Sequence, residues 1–330
     1  MVVDPMRPPQ QRATLAVGHR PAEPADRWAR LRDGRRVCYC EFGAADGFPV
    51  IALHGTPGSR LKFAATHACA ASLRLRLICP DRWAYGGSDP PQQPILADYA
   101  RDIEELADSL GLDTFSLAGI SGGGPYAAAV AAKLGRRIAR LALISPLGPL
   151  AGATPWRELR PFHRFCFRVL PLLPGAVPSA FGFLRAALAV APHNAVRLTA
   201  WRAAAADRGL LFRDPLIRDS LAKAFQAGLA AGVRGPSIDL QLFSSPWRVP
   251  LGRTAALARV WLGSADRNVP LAAAQNLARA LGAELIMLDG AGHFWFCRHY
   301  AEVLSWLSAR PLAQAMRDAG GNSTPAASIG

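Results

Sequence analysis

Short runs of uninterrupted apolar residues recur along this chain, and they constrain its fold more than any other feature. Residues 49–53 (Pro-Val-Ile-Ala-Leu) and 141–144 (Leu-Ala-Leu-Ile) contain no polar side chain. Residues 73–79, 115–119, 258–262 and 285–288 are nearly as apolar. A strand with one face in water alternates apolar and polar residues, so strands apolar throughout must be covered on both faces. Helical spacing separates the runs: Ile103, Leu106 and Leu110 fall on one face of a helix that Asp98 is expected to cap and Gly111 to end. Further helices are expected over 271–281 and, at the end, through about Leu307. Strands alternating with helices predict an α/β chain with a mostly parallel central sheet and helices on both faces. Residues 28–42 differ, since two alternating runs flank Asp33-Gly34 and predict an antiparallel hairpin.

The turn after residues 115–119 carries chemistry. Gly119-Ile120-Ser121-Gly122-Gly123 joins that strand to a helix of small residues, which runs to about Gly135. A serine hydroxyl is a poor nucleophile until a base takes its proton, and a sharp strand-to-helix turn presents it to such a base. Gly119 and Gly123, two residues either side of Ser121, must be small because the turn is too tight for bulky neighbours. Gly122 adds backbone freedom, and its N–H is placed to hydrogen-bond an oxyanion. Ser121 is therefore read as the nucleophile of a serine hydrolase.

An activated serine needs a base, and the base needs an orienting acid. His293, in Ala291-Gly292-His293-Phe294, follows the last strand on a Gly-rich loop from which a side chain can return to the top of the sheet. His299 lies in the following helix and reads as structural. Asp266 lies just past the strand 258–262, and the chain order Ser121, Asp266, His293 suits this architecture. The competing reading of Asp266 is a surface ion pair with its neighbour Arg267. Asp289 is a rival acid, weakened by sitting on the same short loop as His293.

Composition narrows the other function classes. The net charge is +14, yet only Lys62, Lys133 and Lys223 are lysines, and the arginines are scattered without a run of five or six. A nucleic-acid binder would more often show a basic stripe with interleaved aromatics, so no nucleic-acid partner is expected. The six cysteines, at 38, 40, 69, 79, 166 and 297, form no CxxC. They suit reduced thiols in the cytoplasm, and no metal site is read from them. No uninterrupted apolar segment marks a secretory signal, and prolines at 171, 174 and 178 interrupt the most hydrophobic region, so no transmembrane anchor is expected.

From about Pro146 to Pro250 the strand–helix rhythm stops, and residues rich in Ala, Arg, Phe, Trp and Pro show helical spacing. The division expected is a core over 26–147 and 251–310, a helical cap insertion over 148–250, and flexible tails at 1–25 and 311–330. Within the insertion, Arg157, Arg160, Arg164 and Arg168 fall on one helical face, with Phe162, Phe165, Cys166 and Val169 on the other. The simpler reading is a lid helix with a solvated side, whose extent Pro161 limits. The other is a basic amphipathic helix that meets an anionic membrane surface or favours acidic substrates.

Four motifs in order resemble the α/β-hydrolase fold, over about residues 35–307. They are His54-Gly55-Thr56-Pro57-Gly58, Asp81-Arg82 with Tyr85-Gly86-Gly87-Ser88-Asp89, the serine turn, and Gly290-Ala291-Gly292-His293. One departure is Trp83-Ala84, where such proteins often carry a small turn pair. The resemblance implies an oxyanion hole from the backbone N–H groups of Thr56 and Gly122, with His54, Gly55, Gly119 and Gly123 supporting the loop and the turn. It implies a loop-shaping role for His54 and a loop-tying role for Asp81. It further implies no cofactor and an esterase-like reaction, with the apolar insertion suiting a small hydrophobic ester. Alternatives on the same residues are C–C bond or thioester hydrolysis, cofactor-free perhydrolysis, lyase chemistry, or a non-catalytic ligand-binding protein. Dehalogenases and epoxide hydrolases of similar fold use Asp at the elbow where this chain has Ser121.

Overall fold

The computed structural model describes residues 25–200 and 203–309. The tails expected at 1–25 and 311–330 lie outside these residues, Ala25 apart. Eight strands are formed: β1 (Arg27–Arg30), β2 (Arg36–Gly43), β3 (Phe48–Leu53), β4 (Leu75–Pro80), β5 (Phe115–Ile120), β6 (Ile138–Ile144), β7 (Leu257–Gly263) and β8 (Glu284–Leu288). They make one sheet in the order β1-β2-β4-β3-β5-β6-β7-β8. The expected hairpin is β1–β2, and β2 also runs antiparallel to β4, while every other neighbouring pair is parallel.

Alternate residues of the central strands feed two cores, which is why these strands carry no polar face. Ile51, Leu53, Phe115, Leu117, Leu141 and Leu143 pack on one side, against α2 (Tyr99–Ser109) and α3 (Gly123–Leu134). Val50, Ala52, Ala118, Ile120, Ala142 and Ile144 pack on the other, with Ala70 of a short helix α1 (His67–Ser72). Between β6 and β7 come α4 (Pro161–Arg164), α5 (Ala176–Val190), α6 (Pro192–Thr199), α7 (Ala205–Arg213), α8 (Pro215–Gly228) and α9 (Arg234–Ser244). This segment holds a small core of its own around Leu188, Val196, Leu211, Leu221 and Phe225. Helix α10 (Leu271–Leu281) then joins the α2–α3 side, and α11 (Phe296–Ser308) the α1 side.

Two local expectations are corrected. Asp98 makes no capping hydrogen bond, because a 3₁₀ turn (Leu96–Asp98) leads straight into α2 and already gives Asp98 helical angles. The end of that helix is as expected, with Gly111 just past it at φ +66. The arginine face over 157–168 is not one helix either. Arg160 is extended (φ −60, ψ 151), as the residue before Pro161 tends to be, and Phe165–Val169 form a π turn. These interruptions leave Arg157 on a separate 3₁₀ turn (Trp156–Glu158), although all four arginines are exposed as a solvated side requires. Val169, expected on the inner face, is exposed.

Candidate active site

The end of β5 runs into α3 through a turn that Ser121 can adopt only with a left-handed backbone, φ 53. Such a conformation is costly for a residue with a Cβ, and the surroundings hold it in place. Ser121 donates its N–H to Ile144 O at 2.9 Å, and its carbonyl accepts from Gly124 N at 2.9 Å and Leu147 N at 3.1 Å. The flanking glycines are required by close approach. A Cβ on Gly119 would stand 2.7 Å from Ala127 Cβ, and one on Gly123 would stand 2.5 Å from Leu53 O.

From the ends of β7 and β8 two further side chains reach this turn. His293 Nε2 lies 3.0 Å from Ser121 Oγ, and His293 Nδ1 lies 2.7 Å from Asp266 Oδ2. Asp266 is buried, and its other oxygen accepts the N–H groups of Asn268 at 2.7 Å and Val269 at 3.2 Å. Burial disfavours both charges. For His293, the attraction and hydrogen bond of Asp266, helped by the charge of Asp207, outweigh it and raise the imidazole above its ordinary value. For Asp266, the imidazole and the two backbone N–H groups overcome burial and hold the carboxyl below its ordinary value. Asp266 makes no ion pair with Arg267. Asp289 is exposed and accepts from Ser264 Oγ at 3.2 Å, and His299 is exposed at a kink in α11.

The loop after β3 approaches the serine from the other side. A Cβ on Gly55 would lie 3.1 Å from Ser121 Cβ, and one on Gly122 would collide with Thr56 Oγ1. Thr56 and Gly122 thus abut, and among the described residues no acceptor takes up either backbone N–H. His54 is fully buried and neutral, because burial and the nearby Arg82 push its pKa well below the ordinary value. Its Nε2 accepts the N–H of Arg82 at 3.0 Å, and its Nδ1 contacts Gly55 O at 2.8 Å. Asp81 ties neighbouring loops by accepting from Arg60 N at 2.7 Å, Arg60 Nη1 at 2.8 Å and Gly87 N at 3.1 Å. Burial pushes its carboxyl up to about 6 against the pull of Arg60. At the Trp83-Ala84 departure, Trp83 is buried, with its indole N–H on Asp102 at 2.6 Å, and Ala84 takes a left-handed φ of 59.

Two buried carboxylates in the helical segment were missed by the sequence reading. Asp207 of α7 accepts the backbone N–H groups of His293 and Phe294, each at 2.8 Å. Asp239 of α9 accepts from Arg82 at 2.7 and 2.8 Å, from the hydroxyls of Tyr85 at 2.6 Å and Tyr126 at 2.7 Å, and from Thr56 Oγ1. Arg82 in turn donates to His54 O at 2.9 Å and Gly55 O at 3.0 Å, so this cluster fixes the loop that carries Thr56. The signal available for Asp239 was its place between two large apolar residues, Ile238 and Leu240. A carboxylate there needs a buried cation, and Arg82 follows Asp81 in a motif already noted.

Ser121 and His293 sit on the floor of a cavity of about 570 Å³. Its floor is built from the strand ends and its walls from the helical segment, including Phe162, Phe181, Phe225 and Phe243. Arg267 and Lys62 bring cationic side chains to its lining.

Comparison with known proteins agrees with this architecture. The sequence model described as "Alpha/beta hydrolase family" matches residues 50–306. A non-heme chloroperoxidase from Streptomyces lividans is 32% identical over 120 residues, 36% of this chain and 44% of that protein. A haloalkane dehalogenase from Mycobacterium marinum is 31% identical over 156 residues, 46% of this chain and 51% of that protein. The chain thus spans about half the length of the curated relatives it matches. Among solved structures, an α/β-hydrolase-fold protein from Nakamurella multipartita superposes with a TM-score of 0.65 at 22% identity, covering 86% of this chain and 98% of that one.

Proposed function

Since the chain belongs to the alpha/beta hydrolase family, we propose that it is a serine hydrolase that cleaves carboxylic esters with a hydrophobic acyl or alcohol group. The observation that carries this reading is the relay Ser121–His293–Asp266, with contacts of 3.0 and 2.7 Å, beneath an aromatic-walled cavity. Ser121 Oγ attacks the ester carbonyl while His293 Nε2 accepts its proton. Asp266 holds the imidazole and stabilises the imidazolium that forms. The negative charge that develops on the carbonyl oxygen is met by the N–H groups of Thr56 and Gly122, and one such donor is worth about 10²–10³ in rate. Collapse expels the alcohol, which takes the proton from His293 and leaves an acyl-Ser121. Water, deprotonated by His293, then cleaves that ester and regenerates Ser121. The helical segment acts as a cap that excludes bulk water and holds the apolar group.

Turnover of p-nitrophenyl esters of increasing acyl length tests the reading. A burst of p-nitrophenol stoichiometric with enzyme, with kcat/KM rising from acetyl to medium chains, is expected. Absence of ester turnover at every length would overturn it.

Similarity to the non-heme chloroperoxidase favours a second reading on the same residues. Hydrogen peroxide would take the acyl group from Ser121 in place of water and give a peracid. Similarity to the haloalkane dehalogenase supports no dehalogenase reading, because the elbow carries the hydroxyl of Ser121 and no carboxylate.

A further inference from the structure

We propose that the face formed by residues 165–190 docks on an anionic lipid surface. The chain from Leu159 to Ala206 contains no Asp or Glu, yet it carries Arg160, Arg164, Arg168, Arg185, Arg197 and Arg202. Other arginines of the protein face carboxylates, as in Arg35–Asp102, Arg60–Asp81 and Arg76–Glu41. Here a basic stretch has no acid of its own, and an anionic surface supplies the missing charge.

The same stretch exposes large apolar side chains. Leu172 is 77% exposed, Phe183 67% and Val190 87%, and Phe165, Val169 and Leu173 are exposed beside them in sequence. Helix α5 packs against the 170–172 turn, which brings Phe183 and Leu172 onto neighbouring elements. Large apolar groups scattered singly over a surface are ordinary, but several along one acid-free segment mark a contact surface. Apolar side chains together with arginines suit the boundary between headgroups and acyl chains, where the first are buried and the second meet phosphate.

Geometry favours lying on the surface over crossing it. No single described helix is long and apolar enough to cross a membrane, and the two apolar pieces, Pro161–Leu172 and Ala176–Val190, meet at 112°. The cavity runs into this face, because Phe165 and Ala180 both line it and are exposed. An apolar molecule dissolved in the lipid would then enter without passing through water. Docking itself needs no catalysis, so the inference goes beyond the esterase reading and is tested apart from it.

The test is flotation of the full chain with vesicles of phosphatidylcholine alone and of phosphatidylcholine with phosphatidylglycerol, at low and high salt. Wild type and Ser121→Ala are both expected to float with the anionic vesicles and to be released by salt. The double variant Leu172→Glu/Phe183→Glu, neither position lining the cavity, is expected to bind at least about tenfold more weakly. Its circular dichroism and turnover of a soluble ester should match wild type, which separates lost docking from misfolding. Equal flotation of the double variant, or no flotation of wild type, would overturn the proposal. So would equal binding to neutral vesicles. A wild-type dimer that the double variant converts to monomers, with no vesicle binding, would assign the face to a second copy and overturn it too.

Discussion

Asp207 Oδ2 accepts the backbone N–H of His293 at 2.8 Å, so a carboxylate from α7 holds the loop that bears the proposed base. Its second oxygen takes the N–H of Phe294 at 2.8 Å, and no room is left for a side chain on Gly292, whose Cβ would collide with the carboxylate. Asp239 does the equivalent on the other side, where it receives the Thr56 hydroxyl and the guanidinium of Arg82. The helical segment therefore does more than wall the cavity. It grips both loops that flank Ser121.

Replacing Asp207 with Asn removes a negative charge that helps raise the imidazole of His293. The base works when neutral, so kcat/KM of the wild type should rise with pH through a pKa above the ordinary histidine value of 6.5. In Asp207→Asn that limb should move to lower pH, and kcat should fall by about 10–100-fold as the loop loosens. A pH–rate profile measures both. A purely structural role would lower activity without moving the limb.

Asp239→Ala leaves the fully buried Arg82 guanidinium without its carboxylate and two tyrosine hydroxyls without an acceptor. Loss of one partner of a buried pair costs about 3–5 kcal/mol, so a large drop in the denaturant midpoint is expected in equilibrium unfolding. A change under about 1 kcal/mol would mean that water or another group replaces the carboxylate.

The two acids near the histidine loop should separate cleanly. Asp266→Asn should lower kcat by about 10⁴ with little change in KM, as loss of the orienting acid does elsewhere. Asp289→Asn should leave kcat unchanged, since that carboxylate contacts Ser264 on the surface. The reverse pattern in steady-state kinetics would reassign the acid.

What was legible in the sequence was whatever local pattern dictates. The apolar runs at 49–53 and 141–144 announced a sheet covered on both faces, and the glycines around Ser121 announced a tight turn. His293 and Asp266 could be singled out because each follows a strand whose end must lie at the same edge of a parallel sheet. Asp207 and Asp239 were not legible in that way. Their partners lie 86 and 157 residues away, and no spacing rule links α7 to the histidine loop or α9 to Arg82. The arginines at 157, 160, 164 and 168 are exposed, as a solvated side requires, but they do not share one helix. Arg160 is extended before Pro161 and Phe165–Val169 form a π turn, which side-chain spacing does not reveal.

The central claim is that Ser121 is an activated nucleophile, and labelling of the purified protein with a fluorophosphonate probe tests it most directly. The phosphorus accepts the serine oxygen as an ester carbonyl would, so the result does not depend on knowing the substrate. Stoichiometric labelling of the wild type is expected, with none in Ser121→Ala and strong loss in His293→Ala. Labelling that persists in Ser121→Ala, or a folded wild type that takes no label, would contradict the assignment.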